Sequence, residues 1–180
     1  MVGEIRDFET ADIAIKASLT GQLILSTLHT NDSAGAITRL IDMGVEPFLV
    51  ASSLIMSSAQ RLMRKICENC KEVMEILPDV LERLGIDPGI LEKKGVKNFY
   101  KGRGCPRCND TGYYGRVGIL ETLLIDDPVR NLIMKRASSD QIKEYAVKEK
   151  NMMTLRDNAF ENCMDGITTL EETLRVTSED

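Results

Sequence analysis

Two Cys-x-x-Cys pairs carry the plainest chemistry in this chain, Cys67-Glu-Asn-Cys70 and Cys105-Pro-Arg-Cys108. Two residues between cysteines let both sulfurs face one ion while nearby backbone N–H groups turn towards them. Four thiolates in a tetrahedron suit Zn²⁺, and they make the site structural because no position stays open for water. Residues 71–104 separate the pairs, more than the usual zinc-ribbon spacing. A redox dithiol needs only one pair, and an iron–sulfur cluster is the other four-cysteine option. Cys163 stands alone in a helical pattern and reads as a buried, inert thiol. Arg103, Arg107 and Arg116 surround the second pair, as contacts for a partner or as a solvated face.

A second constellation is smaller. Glu4 follows Val2-Gly3, which reads as the tail of a strand. A carboxylate at the end of a buried strand places negative charge near Mg²⁺ and an attacking water. His29 is the only histidine and sits in Ser26-Thr-Leu-His-Thr-Asn31, after an apolar run. Loops at strand ends are where α/β proteins put ligand contacts. From residue types alone, a ligand-sensing histidine and a merely hydrogen-bonded one both stand. No Gly-x-x-x-x-Gly-Lys-Ser/Thr occurs, nor any Gly-Lys pair. A P-loop NTPase holds its phosphates with that lysine and its backbone cradle, so this sequence is not by itself a complete P-loop ATPase.

The elements that must position these residues fall into three segments. Residues 1–66 read as α/β. Asp7 caps a helix over Phe8–Leu19, with Glu9 in its first turn and Gly21 at its end. Leu23-Ile24-Leu25 reads as a buried strand. Asp32 or Ser33 starts a helix ending near Gly44, and Pro47 starts a longer one running towards Ile66 through an Ala/Ser-rich stretch. Residues 67–123 form an insert folded around the metal. It contains two small helices, Leu77–Leu84 and Ile90–Lys94, turns at Gly102, Gly104, Gly112, Gly115 and Gly118, and a strand over Val117–Leu124. Residues 124–180 read as helical, with capping-box pairs Ser138/Gln141 and Thr169/Glu172, and Gly166 after a helix from about Thr154 to Asp165.

Composition narrows the function class. With 43% hydrophobic residues the chain can bury a core without staples, and a 4% aromatic content means that aliphatic side chains and Met fill it. A net charge of −5 argues against a protein whose main task is gripping nucleic-acid phosphates. No apolar run approaches the ~20 residues that span a bilayer. Acidic residues from Glu4 onward do not fit a signal peptide. A cytosolic location follows as an expectation, and with it cysteines that are thiols or metal ligands rather than disulfides.

Several stretches resemble type II/IV secretion-superfamily ATPases. Val2-Gly-Glu-Ile-Arg-Asp-Phe-Glu-Thr-Ala-Asp-Ile-Ala is similar to their Walker B segment, and Leu25-Ser-Thr-Leu-His-Thr-Asn-Asp to their histidine box. Ala59-Gln-Arg-Leu-Met-Arg-Lys-Ile-Cys67 resembles the passage into their tetracysteine insert, and Cys105 to Glu121 its exit. Thr168-Thr-Leu-Glu-Glu-Thr-Leu-Arg-Val-Thr resembles their C-terminal helix. The match runs in order along nearly the whole chain, and the insert points to the extension and assembly branch (GspE/PilB-like).

The resemblance implies the C-terminal portion of a RecA-like P-loop NTPase domain, with a tetracysteine zinc-binding insert and a helical C-terminal region. It implies that Glu4 activates water or supports Mg²⁺, and that His29 senses the γ-phosphate of ATP. It implies that Cys67, Cys70, Cys105 and Cys108 bind structural Zn²⁺. Family members form cytosolic hexamers at the inner-membrane platform of a secretion or pilus system and drive pilin or pseudopilin polymerisation, without nucleic acid or a transmembrane segment. Gln22 stands where the family often has His. Arg6, Arg39 and Arg61 are open between nucleotide contacts, ring contacts and surface salt bridges. The alternatives are a stand-alone zinc-ribbon module that binds protein or nucleic acid, and a purely structural docking domain.

Overall fold

The computed structural model describes residues 1–75, 89 and 98–178. Its elements, in chain order, are α1 (Phe8–Leu19), α2 (Gly35–Asp42), α3 (Pro47–Ser53), β1 (Met56–Ile66), β2 (Lys71–Met74), β3 (Phe99–Gly102), a 3₁₀ turn (Pro106–Cys108), β4 (Tyr113–Leu124), α4 (Asp127–Met134), α5 (Ser139–Lys150), α6 (Leu155–Met164) and α7 (Leu170–Thr177). The expected helices at 77–84 and 90–94 lie outside the described residues. The chain forms two compact units, residues 1–60 with 120–154 and residues 61–119 with 155–180, so each is discontinuous in sequence.

In the first unit, Asp7 accepts the N–H of Thr10 at 2.8 Å and starts α1, as the sequence predicts. At its far end Gly21 takes φ +93°, a conformation that L side chains rarely adopt. Asp32 Oδ1 accepts from the N–H of Gly35 at 2.7 Å at the start of α2, whose buried stripe is Ala36, Ile37 and Leu40. Ser138 and Gln141 form the expected reciprocal capping box on α5. Ile5, Ile15, Ile37, Val50, Leu123, Val129, Ile133 and Ile142 gather into one apolar core.

Two expectations in this unit need correction. Residues 22–30 form no regular strand. Their ladder is short: Val2 N–H donates to Leu25 O and Ile5 N–H to Thr27 O, both at 2.9 Å. The long helix from Pro47 towards Ile66 is the larger error. α3 ends at Ser53, where the Ser52 and Ser53 hydroxyls turn back onto the carbonyls of Phe48 and Leu49. Such hydroxyls compete with the helical backbone. Leu54 is extended, and residues 56–66 become β1, paired with β4. The expected strand at 117–124 is therefore longer, beginning at Tyr113.

In the second unit β2 and β3 are antiparallel, with Lys71 opposite Gly102 and Met74 opposite Phe99. Phe99, Cys163 and Leu170 form a small core with Phe160, Met164 and Leu174. Gly166 takes φ +70° after α6, as the sequence predicts. The second expected capping box is half made. Thr169 accepts the N–H of Glu172 at 3.0 Å, but the Glu172 carboxylate goes to Arg64 and Arg175. Gly102, Gly115 and Gly118, read as turns, lie within strands, Gly115 at φ +80°.

Candidate functional site

Two segments of the first unit bring Glu4 and His29 together. The two ladder bonds and a third from Thr27 Oγ1 to Gly3 O (2.8 Å) align the segments. His29 Nε2 then stands 2.6 Å from Glu4 Oε1. The ring N–H is not aligned on that oxygen, so Oε1 is buried without a well-directed donor. A buried carboxylate oxygen without a directed donor is costly. Glu4 Oε2 is engaged by Arg6, whose Nε and Nη2 both lie 2.7 Å away. The imidazole is 87% exposed, so the pair faces outward rather than into the core. A cleft of about 500 Å³ is lined by Ile5, Thr27, Leu28 and Thr30, the sequence neighbours of Glu4 and His29, together with Leu40 and Met56.

The second unit gathers the four cysteines. Two tight turns do this: Cys70 N–H donates to Cys67 O, and Cys108 N–H to Cys105 O, both at 3.1 Å. Sulfur separations are 3.8 Å for Cys67–Cys105, 3.9 Å for Cys70–Cys108 and 3.7 Å for Cys105–Cys108, and all four sulfurs lie within 4.8 Å of one another. A tetrahedron of sulfurs about 2.3 Å from a zinc ion has edges of about 3.8 Å. A disulfide needs about 2.05 Å. The cluster therefore fits a tetrahedral thiolate-bound ion and holds no disulfide. Burial pushes the Cys70 thiol up to about 12, whereas the Asn69 amide, 3.3 Å from Cys105 Sγ, draws Cys105 down to about 6.

Gly102 makes the cluster possible. A Cβ there would stand 2.1 Å from Gly112 O, and that same carbonyl accepts the N–H of Cys67 at 2.9 Å. The backbone leading into the second pair thus lies directly against the backbone that follows it, and that backbone in turn holds the start of the first pair.

A sequence model of the type II/IV secretion system protein family matches residues 1–175. The chain belongs to that family. It is 51% identical to the type IV pilus assembly ATPase PilB of Thermus thermophilus, over 99% of this chain and 20% of that one. It is 48% identical to the type II secretion system ATPase E of Vibrio cholerae, over 99% of this chain and 34% of that one. The chain thus spans a fifth to a third of the length of these relatives. Among solved structures, the pilus retraction motor PilT with bound ADP is similar at TM-score 0.62 and 21% identity, over 99% of this chain and 40% of that one. The Legionella pneumophila ATPase DotB is similar at TM-score 0.61 and 18% identity, over 98% of this chain and 37% of that one. Both likenesses show the secretion-ATPase α/β fold.

In this member of the type II/IV secretion family the sequence-predicted residues separate into two places. Glu4 and His29 meet in the first unit, and Cys67, Cys70, Cys105 and Cys108 meet in the second. Of the three arginines left open, Arg6 pairs with Glu4, Arg61 donates to Val176 O at 2.7 Å, and Arg39 is exposed on α2. Arg107 lies over the Tyr114 ring at 4.8 Å, and Arg103 N–H donates to Cys70 O at 3.1 Å. Cys163 is buried, which pushes its thiol up to about 11.

Sequence reasoning missed two fully buried carboxylates, Glu121 and Glu172. Both left a signal. Glu121 falls between Ile119 and Leu123 on the inward side of a strand, and Glu172 sits one turn into a helix that otherwise packs apolar and small side chains. A carboxylate at such a position must have partners waiting for it.

Proposed function

We propose that this chain is the C-terminal portion of a motor ATPase that powers type II secretion or type IV pilus assembly. Membership of the family supports the class of protein, and the 2.6 Å approach of His29 to Glu4 carries the reading of the site. In this reading ATP is the substrate. Glu4, with one oxygen lacking a directed donor, orients the attacking water and accepts its proton. His29, exposed beside it, donates to the terminal phosphate and reports its presence to the loop that follows. Mg²⁺ supplies charge neutralisation between phosphate oxygens when bound, and Glu4 is the nearby carboxylate that supports it. An outward-facing pair needs further groups to enclose the phosphates. The Gly-Lys-Ser/Thr loop that this sequence lacks is the natural source.

Cys67, Cys70, Cys105 and Cys108 hold Zn²⁺ in this reading, and the ion ties the two turns together without taking part in hydrolysis. The working form is a hexamer on the cytoplasmic face of the inner membrane, docked on platform and cytoplasmic-domain components of the secretion or pilus apparatus. No described helix is long and apolar enough to cross a membrane.

The test is steady-state ATP hydrolysis by the full-length protein. Glu4→Gln and His29→Ala each lower kcat by roughly 10²-fold with ATP still bound, and the double variant loses little more, because the two act as a unit. Full ATP turnover in both single variants would remove the assignment.

A further inference from the structure

Glu121 has no exposed surface. A charge withdrawn from water needs matched donors around it. Ser33 provides two to Oε1, its backbone N–H at 3.0 Å and its hydroxyl at 2.6 Å. Lys143, on α5, places Nζ 3.5 Å from Oε2 and 3.1 Å from Asp32 Oδ2. Asp32 in turn accepts from Gly35 N–H with its other oxygen. One buried carboxylate near the end of β4 therefore joins α5 and the start of α2, and Glu121, Ser33, Asp32 and Lys143 all belong to the first unit.

The residues it holds, Ser33 directly and Asp32 through Lys143, close the loop that His29 opens. Thr30 Oγ1 donates to Asp32 O at 3.2 Å within that loop. On the other side, Thr27 is fixed to the Glu4 segment through Ile5 N–H and Gly3 O. His29 is thus suspended between two anchors. Its ring is 87% exposed and gains little from packing, so its place beside Glu4 is set by the backbone. Of the two anchors, the Ser33 side is the stronger, since its bonds are buried and charge-assisted.

We propose that Glu121, acting through Ser33 and Lys143, is a positioning residue that holds the His29 loop so that the imidazole meets Glu4. Its effect on turnover rests on the reading of Glu4 and His29 given above, whereas the juxtaposition itself does not. A carboxylate that only filled the core would leave the Glu4–His29 relation untouched when replaced.

The single histidine makes this measurable. Its imidazole Cε1–H gives one isolated proton resonance in the 180-residue chain. At fixed pH, Glu4→Gln shifts that resonance, because the neighbouring carboxylate is gone. The expected result is that Glu4→Gln made in a Glu121→Gln background shifts it by less than half as much, with unchanged far-ultraviolet circular dichroism. Ser33→Ala removes only the hydroxyl donor, reduces the shift in the same direction, and carries the test if Glu121→Gln does not fold. An undiminished shift in the folded backgrounds overturns the proposal, as does no shift in the parent chain. In the full-length protein, Glu121→Gln lowers kcat about tenfold while KM for ATP stays within about twofold, the mark of misplacement rather than lost binding. Absent ATP turnover in the unsubstituted full-length protein would sink the motor reading and leave the resonance coupling standing, so the two fail separately.

Discussion

Arg64 holds Glu172 three times over, through its backbone N–H at 2.9 Å, its Nε at 2.9 Å and its Nη2 at 2.6 Å. The guanidinium also lies 4.1 Å above the Tyr113 ring, and Arg175 adds two further bonds to the same carboxylate at 2.7 and 2.6 Å. One buried acid thereby fastens β1 to α7 across the second unit. Burial alone raises such a carboxyl. The hydrogen bonds from Arg175 and Arg64 outweigh that and hold Glu172 at about 2, against an ordinary 4.5.

This pair sets an acid limit on the second unit. The folded value lies below the unfolded one, so the stabilisation is complete above about pH 5 and disappears as pH falls towards 2. It amounts to about 2 kcal/mol, less than the full shift implies because both arginines are half exposed. Denaturant midpoints between pH 2 and 6 should fall with acid in the parent chain and fall distinctly less in Glu172→Gln. Parallel curves would show that the pair is energetically silent.

Metal loading gives a second expectation. The chain should bind one Zn²⁺ per molecule, and Co²⁺ in its place should show the intense charge-transfer and d–d absorption of tetrahedral thiolate coordination. Cys105→Ser should abolish that spectrum and loosen the second unit first, leaving amide protection around Ile37, Val50 and Ile133 intact. Simultaneous loss of protection in both units would mean that the cluster stabilises the whole chain.

Gly102→Ala should act like the loss of a ligand although it touches no sulfur. Its Cβ would collide with Gly112 O, a backbone atom that cannot swing aside. The carbonyl must move, and the N–H of Cys67 loses its acceptor. A cost of about 2–4 kcal/mol follows, with Zn²⁺ affinity lowered at least tenfold in a chelator competition. Affinity equal to that of the parent would show that the two backbones can separate freely.

The 180-residue chain alone should hydrolyse ATP no faster than its own Glu4→Gln variant. Charge stabilisation and positioning of phosphates carry most of phosphoryl-transfer catalysis, and this sequence has no Gly-Lys-Ser/Thr loop to supply them. A coupled-enzyme assay at high protein concentration is sensitive enough to decide. Turnover that disappears with Glu4→Gln would contradict the expectation.

The sequence was most informative where one residue type performs one local task. Asp7, Ser138 and Gly166 mark their helix ends by side-chain chemistry or by a permissive φ, and the Cys-x-x-Cys spacing encodes its own turns. β1 was misleading for a definite reason. Its buried residues are Ala59, Met63 and Ile66, spaced four and three apart, which is the signature of a helical stripe. The change of face between Met63 and Ile66 hides the strand period of two. The buried carboxylates were hidden differently. Glu121 meets Ser33 and Lys143, and Glu172 meets Arg64, and no local pattern pairs residues that far apart; only Arg175, three residues on from Glu172 along the same helix, is a local partner. The approach of His29 to Glu4 had the same obstacle, and only the likeness to a known family brought the two together before the structure did.

The interleaving of the two units governs the order in which the molecule can be made. Residues 1–60 share one core with Leu123, Val129, Ile133 and Ile142, which the ribosome delivers only after all of residues 61–119. At ordinary synthesis rates that is a wait of roughly 3–12 s. During it, Ile37 and Val50 have no completed interior to enter. Glu121 arrives with the same late segment, so its hold on the loop bearing His29 can form only after that wait.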